Sequence, residues 1–192
     1  MSVSARRLPA LVFLVAAFFS FSVANAQAPA QGGAPEQTRI QISVGGKAGF
    51  YYLPLTIAEQ LGYFKDEGLD VQISDFAGGS KALEAMIGGS ADVVSGAYEH
   101  TIDMQVKGQP VRAFVLMGRA PQISIGVATA KAANVHSARD FKGLKVGVSA
   151  PGSSTNIALN YFIGEAGLKP GDVSVIGVGT SAGAIAALNS GH

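Results

Sequence analysis

The stretch RIQISVGGKAGFYYLPLTIAEQLGYFKDEGLDVQIS, residues 39–74, carries the first unit of a repeated pattern. Apolar residues alternate with polar ones from Ile40 to Val44, as in a β-strand, and a glycine-rich loop follows. Pro54 then stands where the first turn of a helix tolerates it, ahead of apolar residues at helical spacing. Val71 to Ser74 returns to the strand pattern. A strand, a helix and a second strand in this order are typical of a parallel β-α unit.

The same alternation continues along the rest of the chain. We predict further strands over 91–94, 111–117, 145–148 and 173–176, and helices that begin near Ser80, Thr101, Ser154 and Ser181. Residues 123–128 are predicted to be extended, at the point where one set of units gives way to the next. The sequence therefore predicts an α/β protein with mainly parallel sheets. Its first lobe would occupy residues 39–122, and a hinge with a second, incomplete lobe would occupy residues 123–192.

The N-terminus has the three parts of an export signal. Arg6 and Arg7 are followed by an almost purely apolar run from Leu11 to Val23, and Ala24-Asn25-Ala26 supplies small residues for cleavage. That run reaches only about 20 Å as a helix, short of the roughly 30 Å of a bilayer core. We predict a signal peptide over 1–26, cleavage after Ala26, a flexible lead-in over 27–38, and a soluble periplasmic product.

Composition excludes several classes of protein. Hydrophobic residues make up 48% of the chain and charged residues 14%, which is unlike a disordered chain. All 13 acidic residues follow the signal, so the exported part is close to neutral and has no basic field for nucleic acid. Cysteine is absent, which excludes disulfide scaffolds, thiolate metal sites and cysteine nucleophiles.

Three glycine-rich loops follow predicted strands and precede predicted helices. They are Gly45 to Tyr52, Gly78-Gly79-Ser80, and Gly152 to Thr155. In open α/β sheets such loops lie at the carboxyl ends of strands, where helix N-termini offer free N–H donors to a ligand. For any one loop the alternative is structural: Ser80 and Ser154 would cap helices, and the glycines would turn the chain. Two lobes that each offer such a loop favour a binding cleft for a small anion.

Three longer stretches carry a family resemblance. These are FYYLPLTIAEQLGYFKDEGLDVQI (50–73), FAGGSKALEAMIGGSADVVSGAYEHTI (76–102) and KGLKVGVSAPGSSTN (142–156). Together they resemble the periplasmic solute-binding proteins of ABC importers in the nitrate, sulfonate and taurine group, and the related pyrimidine-precursor binding proteins. The resemblance implies a type II periplasmic-binding-protein fold, a non-enzymatic monomer, a small and anionic solute, and delivery to an inner-membrane ABC permease. It implies no metal and no cofactor.

The resemblance also implies which residues contact the solute. On matching positions these are Gly46, Lys47, Phe50, Tyr51, Tyr52, Gly79, Ser80, Ser95, Gly96, Ala97, Tyr98, Ser153, Ser154 and Thr155. Backbone groups of Gly177 to Thr180 would add contacts. The resemblance implies a protein about twice as long as the part of this chain that follows the signal. We therefore expect the C-terminal half to be missing, which would leave unpaired strand edges and uncovered apolar faces.

Other interpretations start from the same residues. Gly177-Val178-Gly179 opens a pattern that also suits a nucleotide-binding enzyme. A ligand-sensing partner of a membrane receptor would use the same fold as an importer component. The family also resembles a thiamine-pyrimidine synthase, whose cysteine-rich segment has no counterpart in a chain without cysteine.

Individual side chains leave further alternatives open. Lys47 would pair with an anionic ligand or lie on the surface, and Tyr51, Tyr52 and Tyr98 would line the cleft or pack between elements. Glu99, His100 and Asp103 lie close on one helix, but no second histidine stands at metal-ligand spacing. We interpret these three residues as a solvated helix face.

Overall fold

The computed structural model describes residues 34–190, and strands alternate with helices along this range. Its strands are β1 (Arg39–Gly45), β2 (Asp70–Phe76), β3 (Val93–Ser95), β4 (Lys145–Val148) and β5 (Ser174–Gly177). Its α-helices are α1 (Leu53–Gln60), α2 (Tyr63–Asp66), α3 (Gly79–Ile87), α4 (Glu99–Val106), α5 (Thr129–Ala132), α6 (Ser154–Glu165) and α7 (Ala182–Ser190). Short 3-10 turns occupy Phe50–Tyr52, Ala138–Phe141 and Pro170–Asp172. The predicted signal peptide lies outside the described residues.

The first sheet is parallel, with strand order β2-β1-β3. Ile42 of the central strand pairs with Ile73 of β2 and Val93 of β3. Because helices cover both faces of a parallel sheet, a central strand is buried on both sides, and Ser43 and Val44 are fully buried. The Ser43 hydroxyl donates to the Ala82 carbonyl at 2.8 Å, which satisfies the buried hydroxyl and fixes α3 on β1.

The second sheet pairs β4 with β5 in parallel, with Val146 beside Val175. Its core contains Leu159 and Ile163 of α6, both under 3% exposed, because apolar residues four apart lie on one helix face. The Phe141 ring packs edge-on against the Phe162 ring of α6, and the two ring centroids lie 5.4 Å apart. The predicted α/β fold with mainly parallel sheets is confirmed. The predicted boundary near residue 122 stays a prediction.

The predicted strand over 111–117 is wrong. Residues 110–127 make no backbone-to-backbone hydrogen bond within the described part of the chain, and Phe114, Val115 and Leu116 are 65–75% exposed. The segment has the composition of a strand, but a strand needs a neighbour for its N–H and C=O groups. The segment instead forms part of the lining of a cavity of about 470 Å³ beside β3. The predicted extended segment over 123–128 belongs to neither sheet.

The residues at the N-cap positions of two helices differ from those that the sequence offered as caps. Gly78 and Ser153 occupy the N-cap positions of α3 and α6, so neither Ser80 nor Ser154 is the capping residue. The Ser80 side chain bonds elsewhere, as described below. Within residues 34–190, none of the helices has the length and apolar composition needed to cross a membrane.

Candidate functional site

The loops that follow β1 and β2 meet at the carboxyl edge of the first sheet. Gly45, the last residue of β1, lies against the backbone of Gly78 and Gly79, so closely that a Cβ atom on Gly45 would overlap it. Glycine is required here because the backbone of α3's first turn occupies the space that any side chain would need. This contact places the N-terminus of α3 directly above β1.

The loop after β4, in the second sheet, contacts this same helix N-terminus. The Ser80 N–H donates to Ser153 Oγ at 3.0 Å, and the Ser80 hydroxyl donates to the Pro151 carbonyl at 2.9 Å. Ser153 is fully buried, and a Cβ atom on Gly78 would lie 2.9 Å from its hydroxyl oxygen. The Ser153 hydroxyl, at the N-cap position of α6, therefore accepts from an N–H of α3 rather than from one of its own helix. The structure brings Ser80, Gly79 and Ser153 together, as the cleft hypothesis requires.

A second close approach joins the loops of the two sheets. Gly46 has a φ of +96°, and a Cβ atom there would lie 2.6 Å from the Thr180 side chain. Thr180 directly follows the Gly177-Val178-Gly179 turn, and Val178 packs against Gly147 of β4. The predicted contribution of this turn to the cleft is consistent with its position beside the β1 loop.

The β1 loop is held by two acidic residues that the sequence prediction did not include. Asp75 Oδ1 accepts from the Gly46 N–H at 2.8 Å and from the Lys47 N–H at 2.9 Å. The Lys47 ammonium forms a partly buried ion pair with Glu59, and its hydrogen bond lowers the pKa of that carboxyl. Lys47 is therefore neither a free anion-binding cation nor a solvated surface residue. Its partner lies in another element, so no local sequence signal identifies it.

The four predicted aromatic residues separate into two groups. Tyr52 is 8% exposed and belongs to the core around Ile42. Burial, followed by the neighbouring Tyr51 and the carboxylates of Glu99 and Asp75, raises its pKa to about 12. Tyr51 packs edge-on against Tyr52 with ring centroids 5.1 Å apart and is 37% exposed. Phe50 and Tyr98 are 90% and 66% exposed. Tyr52 thus packs between elements, whereas the other three present ring surface to solvent.

In the loop after β4, the side-chain hydroxyls mostly form hydrogen bonds within the loop itself. Thr155 Oγ1 accepts from the Ser149 N–H at 3.0 Å and contacts the Ser149 hydroxyl at 2.9 Å. Asn156 Oδ1 accepts from the Gly152 N–H at 2.9 Å. Ser154, the first residue of α6, is half-buried beside them. The sequence analysis did not identify Asn156 as a loop partner, because an asparagine within a helical pattern gives no sign that its side chain turns back to the preceding loop.

The loop after β3 completes this edge of the sheet. Ser95 is buried, and its hydroxyl lies 3.8 Å from Met117 Sδ, while Gly96 and Ala97 are half-buried. The next residues begin α4. Contrary to the interpretation as a solvated face, His100 is only 4% exposed, because it packs beneath the first residue of α3, 3.2 Å from where a Gly79 Cβ would lie.

Two polar atoms of α4 are buried without a partner in the described part of the chain: Glu99 Oε1 and His100 Nε2. Burial lowers the pKa of His100, and the carboxylates of Glu99 and Asp103 oppose that effect. The Glu99 charge also contributes to raising the pKa of Tyr51 and of Tyr52. Asp103 also forms an exposed ion pair with Lys107 at 2.7 Å.

This arrangement can bind and enclose a small molecule. Loops from both sheets converge, helix N-termini and hydroxyls lie at their contact, and aromatic surface is exposed beside them. Among residues 34–190, no serine or threonine of these loops is hydrogen-bonded to a histidine or carboxylate that would activate it. Within that range, no group of three metal-ligating side chains comes together.

Comparison with solved structures defines the class of fold. The chain is similar to the alkanesulfonate-binding protein SsuA from Xanthomonas axonopodis pv. citri, with a TM-score of 0.56 and 20% identity over 82% of this chain and 53% of that one. It is also similar to a protein of Bordetella bronchiseptica RB50, with a TM-score of 0.79 and 61% identity over 81% of this chain and 49% of that one. The fold is that of a type II periplasmic binding protein.

Sequence comparison then gives the family. Residues 49–190 match the family described as NMT1/THI5 like, and the chain belongs to that family. A relative from Schizosaccharomyces pombe, named 4-amino-5-hydroxymethyl-2-methylpyrimidine phosphate synthase, is 29% identical over 67% of this chain. The chain spans about 36% of that relative's length and about half of the two solved chains.

Proposed function

We propose that this protein is the exported solute-binding component of an ABC importer, and that it captures a small solute between the loops after β1, β2, β3 and β4. The observation that carries the proposal is the cross-lobe contact of Ser80 with Ser153, at the N-termini of two helices. Helix N-termini that converge from two sheets are the usual position for a ligand in this class of α/β protein. Membership of the NMT1/THI5 like family, together with a fold similar to that of the alkanesulfonate-binding protein SsuA, supports the same proposal.

The mechanism we propose is an exchange of partners. In the structure, the Ser80 N–H and hydroxyl donate to Ser153 and Pro151. A solute that enters takes over these hydrogen bonds and adds its own contacts to both lobes. Contacts made only when both lobes grip the solute shift the population toward a closed form, which the permease would recognise.

Export and the permease are part of this proposal. They rest on the signal pattern over residues 1–26 and on the family's importers, and the product would act in the periplasm as a monomer. Fractionation of cells that express the full chain checks export: mature protein that starts at Gln27 in the periplasmic fraction supports it, and full-length protein retained in the cytoplasm contradicts it.

A synthase function is the second candidate, because the yeast relative carries that name. We favour binding alone, since the hydroxyls of the cleft loops have no activating base among the described residues and the chain has no cysteine. Mass spectrometry separates the two candidates. A solute recovered chemically unchanged from the purified protein supports binding, and a converted solute supports the synthase.

The direct test is calorimetric titration of the purified protein with a panel of cationic, neutral and anionic solutes. Ser153→Ala removes a hydroxyl that, in the proposed mechanism, exchanges its hydrogen bond with Ser80 for one with the solute. We therefore expect the affinity for a bound solute to fall about 3- to 10-fold. Ser174→Ala is the matched control, because Ser174 is an exposed residue of β5 far from the loop contact. Equal effects of the two substitutions, or no binding to any solute, would contradict the proposal.

A further inference from the structure

The turn that follows β1 is held at its start by a side chain of the neighbouring strand. Asp75, in β2, accepts from the Gly46 N–H at 2.8 Å and from the Lys47 N–H at 2.9 Å, both through Oδ1. The Gly46 carbonyl accepts from the Gly49 N–H at 2.9 Å, which closes a four-residue turn. Hydrogen bonds to a charged acceptor are stronger than those between neutral groups. The Asp75 carboxylate therefore fixes the first two residues of this 46–49 turn.

The 46–49 turn lies where the loops of the two sheets approach each other. Gly46 has a φ of +96°, a conformation that favours glycine, and a Cβ atom there would lie 2.6 Å from the Thr180 side chain. The turn cannot move toward Thr180 without overlap, and movement away would break its hydrogen bonds to Asp75. Asp75 thus helps to set where the β1 loop stands relative to the loop after β5.

The same turn leads directly into the aromatic part of the candidate site. The 3-10 turn Phe50–Tyr52 begins at the next residue, and the Tyr52 N–H donates to the Gly49 carbonyl at 2.9 Å. Phe50 and Tyr51 expose ring surface to solvent. The placement of both rings therefore depends on where the 46–49 turn ends.

A second contact ties the 46–49 turn to α1 and can be removed separately. The Lys47 ammonium forms a partly buried ion pair with Glu59, whereas the Lys47 N–H donates to Asp75. The two interactions use different atoms of one residue. A substitution of the Lys47 side chain removes the ion pair and leaves the backbone hydrogen bond to Asp75 in place.

We propose that Asp75 is a positioning residue of the solute site: its carboxylate fixes the 46–49 turn beside Thr180 and so raises the affinity for the solute without contacting it. This inference rests on the proposed function, because the β1 loop belongs to the site where the solute would be held. The essential property of Asp75 is an oxygen that accepts from two backbone N–H groups, and not its negative charge.

Two substitutions separate the acceptor from the charge. Asp75→Ala removes the acceptor, while Asp75→Asn keeps an amide oxygen that can accept both N–H groups. Asp75 is exposed, so neither substitution disturbs the core. Hydrogen–deuterium exchange of peptides that cover residues 45–52 reports opening of the turn. We expect exchange about tenfold faster in Asp75→Ala, and within about threefold of the wild-type rate in Asp75→Asn.

Calorimetric titration with benzoate, benzamide and benzamidine gives the second readout. The three probes share a planar ring and carry a negative charge, no charge and a positive charge, so the test does not depend on the charge of the solute. A solute of the wider panel that binds more tightly than all three replaces them as titrant. We expect Asp75→Ala to weaken binding about 3- to 10-fold, and Asp75→Asn to bind within about twofold of the wild type.

Two controls match the kind of interaction removed. Asp92→Ala also removes a carboxylate that accepts from a backbone N–H, that of Gln41 at 2.8 Å, but this residue lies toward the start of β1. It should change neither the exchange of residues 45–52 nor the affinity. Lys47→Met removes only the ion pair with Glu59, and its effect on both readouts should be smaller than that of Asp75→Ala. Circular dichroism melts show whether each variant is folded.

The outcomes separate the inference from the proposed function. Faster exchange in Asp75→Ala with unchanged affinity would overturn the inference and leave solute binding standing. Weaker binding without faster exchange would also overturn it, because Asp75 would then contact the solute itself. Equal losses of affinity in Asp75→Ala and Asp75→Asn would overturn it as well, since the charge would be the essential property. If the wild type binds neither the three probes nor any solute of the panel, the proposed function fails and the inference fails with it.

Discussion

His100 connects the stability of the protein to pH. Burial, the largest effect, lowers its pKa below the ordinary value of 6.5, and Lys107 acts in the same direction, while Glu99 and Asp103 oppose it. The unfolded state therefore binds a proton at a higher pH than the folded state does. The contribution of this residue to stability is present above about pH 6.5 and is lost as the pH falls toward the folded pKa.

We therefore expect the free energy of unfolding to fall between pH 7 and pH 5, and His100→Gln to flatten that dependence. Urea unfolding followed by circular dichroism at several pH values measures it. His136→Gln is the control, because His136 is exposed and lies outside the cleft loops. If His100→Gln keeps the full pH dependence of the wild type, the buried, neutral histidine is not its source.

Single side chains were the hardest feature to predict from the sequence. Lys47 was correctly placed in the loop after β1, whereas Tyr52 lies in a 3-10 turn and Ser80 in the first turn of α3. Their partners are Glu59 for Lys47, the core around Ile42 for Tyr52, and Ser153 for Ser80. Partners from other elements leave no mark on local spacing. Burial of His100 was missed for the same reason, since the covering residue, Gly79, belongs to another helix.

Secondary-structure elements were predicted well wherever local periodicity alone decides them. The strand predicted over 145–148 matches β4, and the helix predicted from Ser154 matches α6. The segment 111–117 shows the limit of that approach. Its apolar, β-branched composition favours a strand, but strand formation depends on a hydrogen-bonded neighbour, and none lies beside it in residues 34–190.

Helix α6 holds the second sheet through one buried face. Ile163 is fully buried and Ile157 of the same helix is 39% exposed, so one substitution can be compared at both sites. We expect Ile163→Ala to lower the free energy of unfolding by about 2–5 kcal/mol, and Ile157→Ala by clearly less. Urea denaturation measures both values. If the two substitutions lowered the free energy of unfolding by similar amounts, burial of the α6 face that contains Leu159 and Ile163 would not be what stabilises this helix.

The arrangement of the chain as a whole follows from its parallel topology. Loops after parallel strands emerge at one edge of each sheet, so the sequence could predict that the loops after β1, β2 and β4 would form the candidate site. It could not predict that the site's donors would be satisfied by protein groups such as Asp75, because that depends on side-chain positions in the folded molecule. The predicted anionic solute depended on those donors being free.

Because the chain has no cysteine, two introduced cysteines can pair only with each other within one molecule. They can therefore test whether the solute enters between the Ser80 and Ser153 loops. The hydroxyl oxygens of Ser80 and Ser153 lie 3.0 Å apart, so a Ser80→Cys, Ser153→Cys double variant places two thiols in contact. A disulfide between them would hold the loops together and exclude the solute. Each single variant is a control for the substitution itself.

Calorimetric titration of this double variant, oxidised and then reduced, with a solute that the wild-type protein binds gives the most direct answer. We predict at least about tenfold weaker binding in the oxidised form, recovery on reduction, and no redox effect in either single variant. Undiminished binding by the cross-linked protein would place the solute elsewhere and contradict the proposal that it is held between the Ser80 and Ser153 loops.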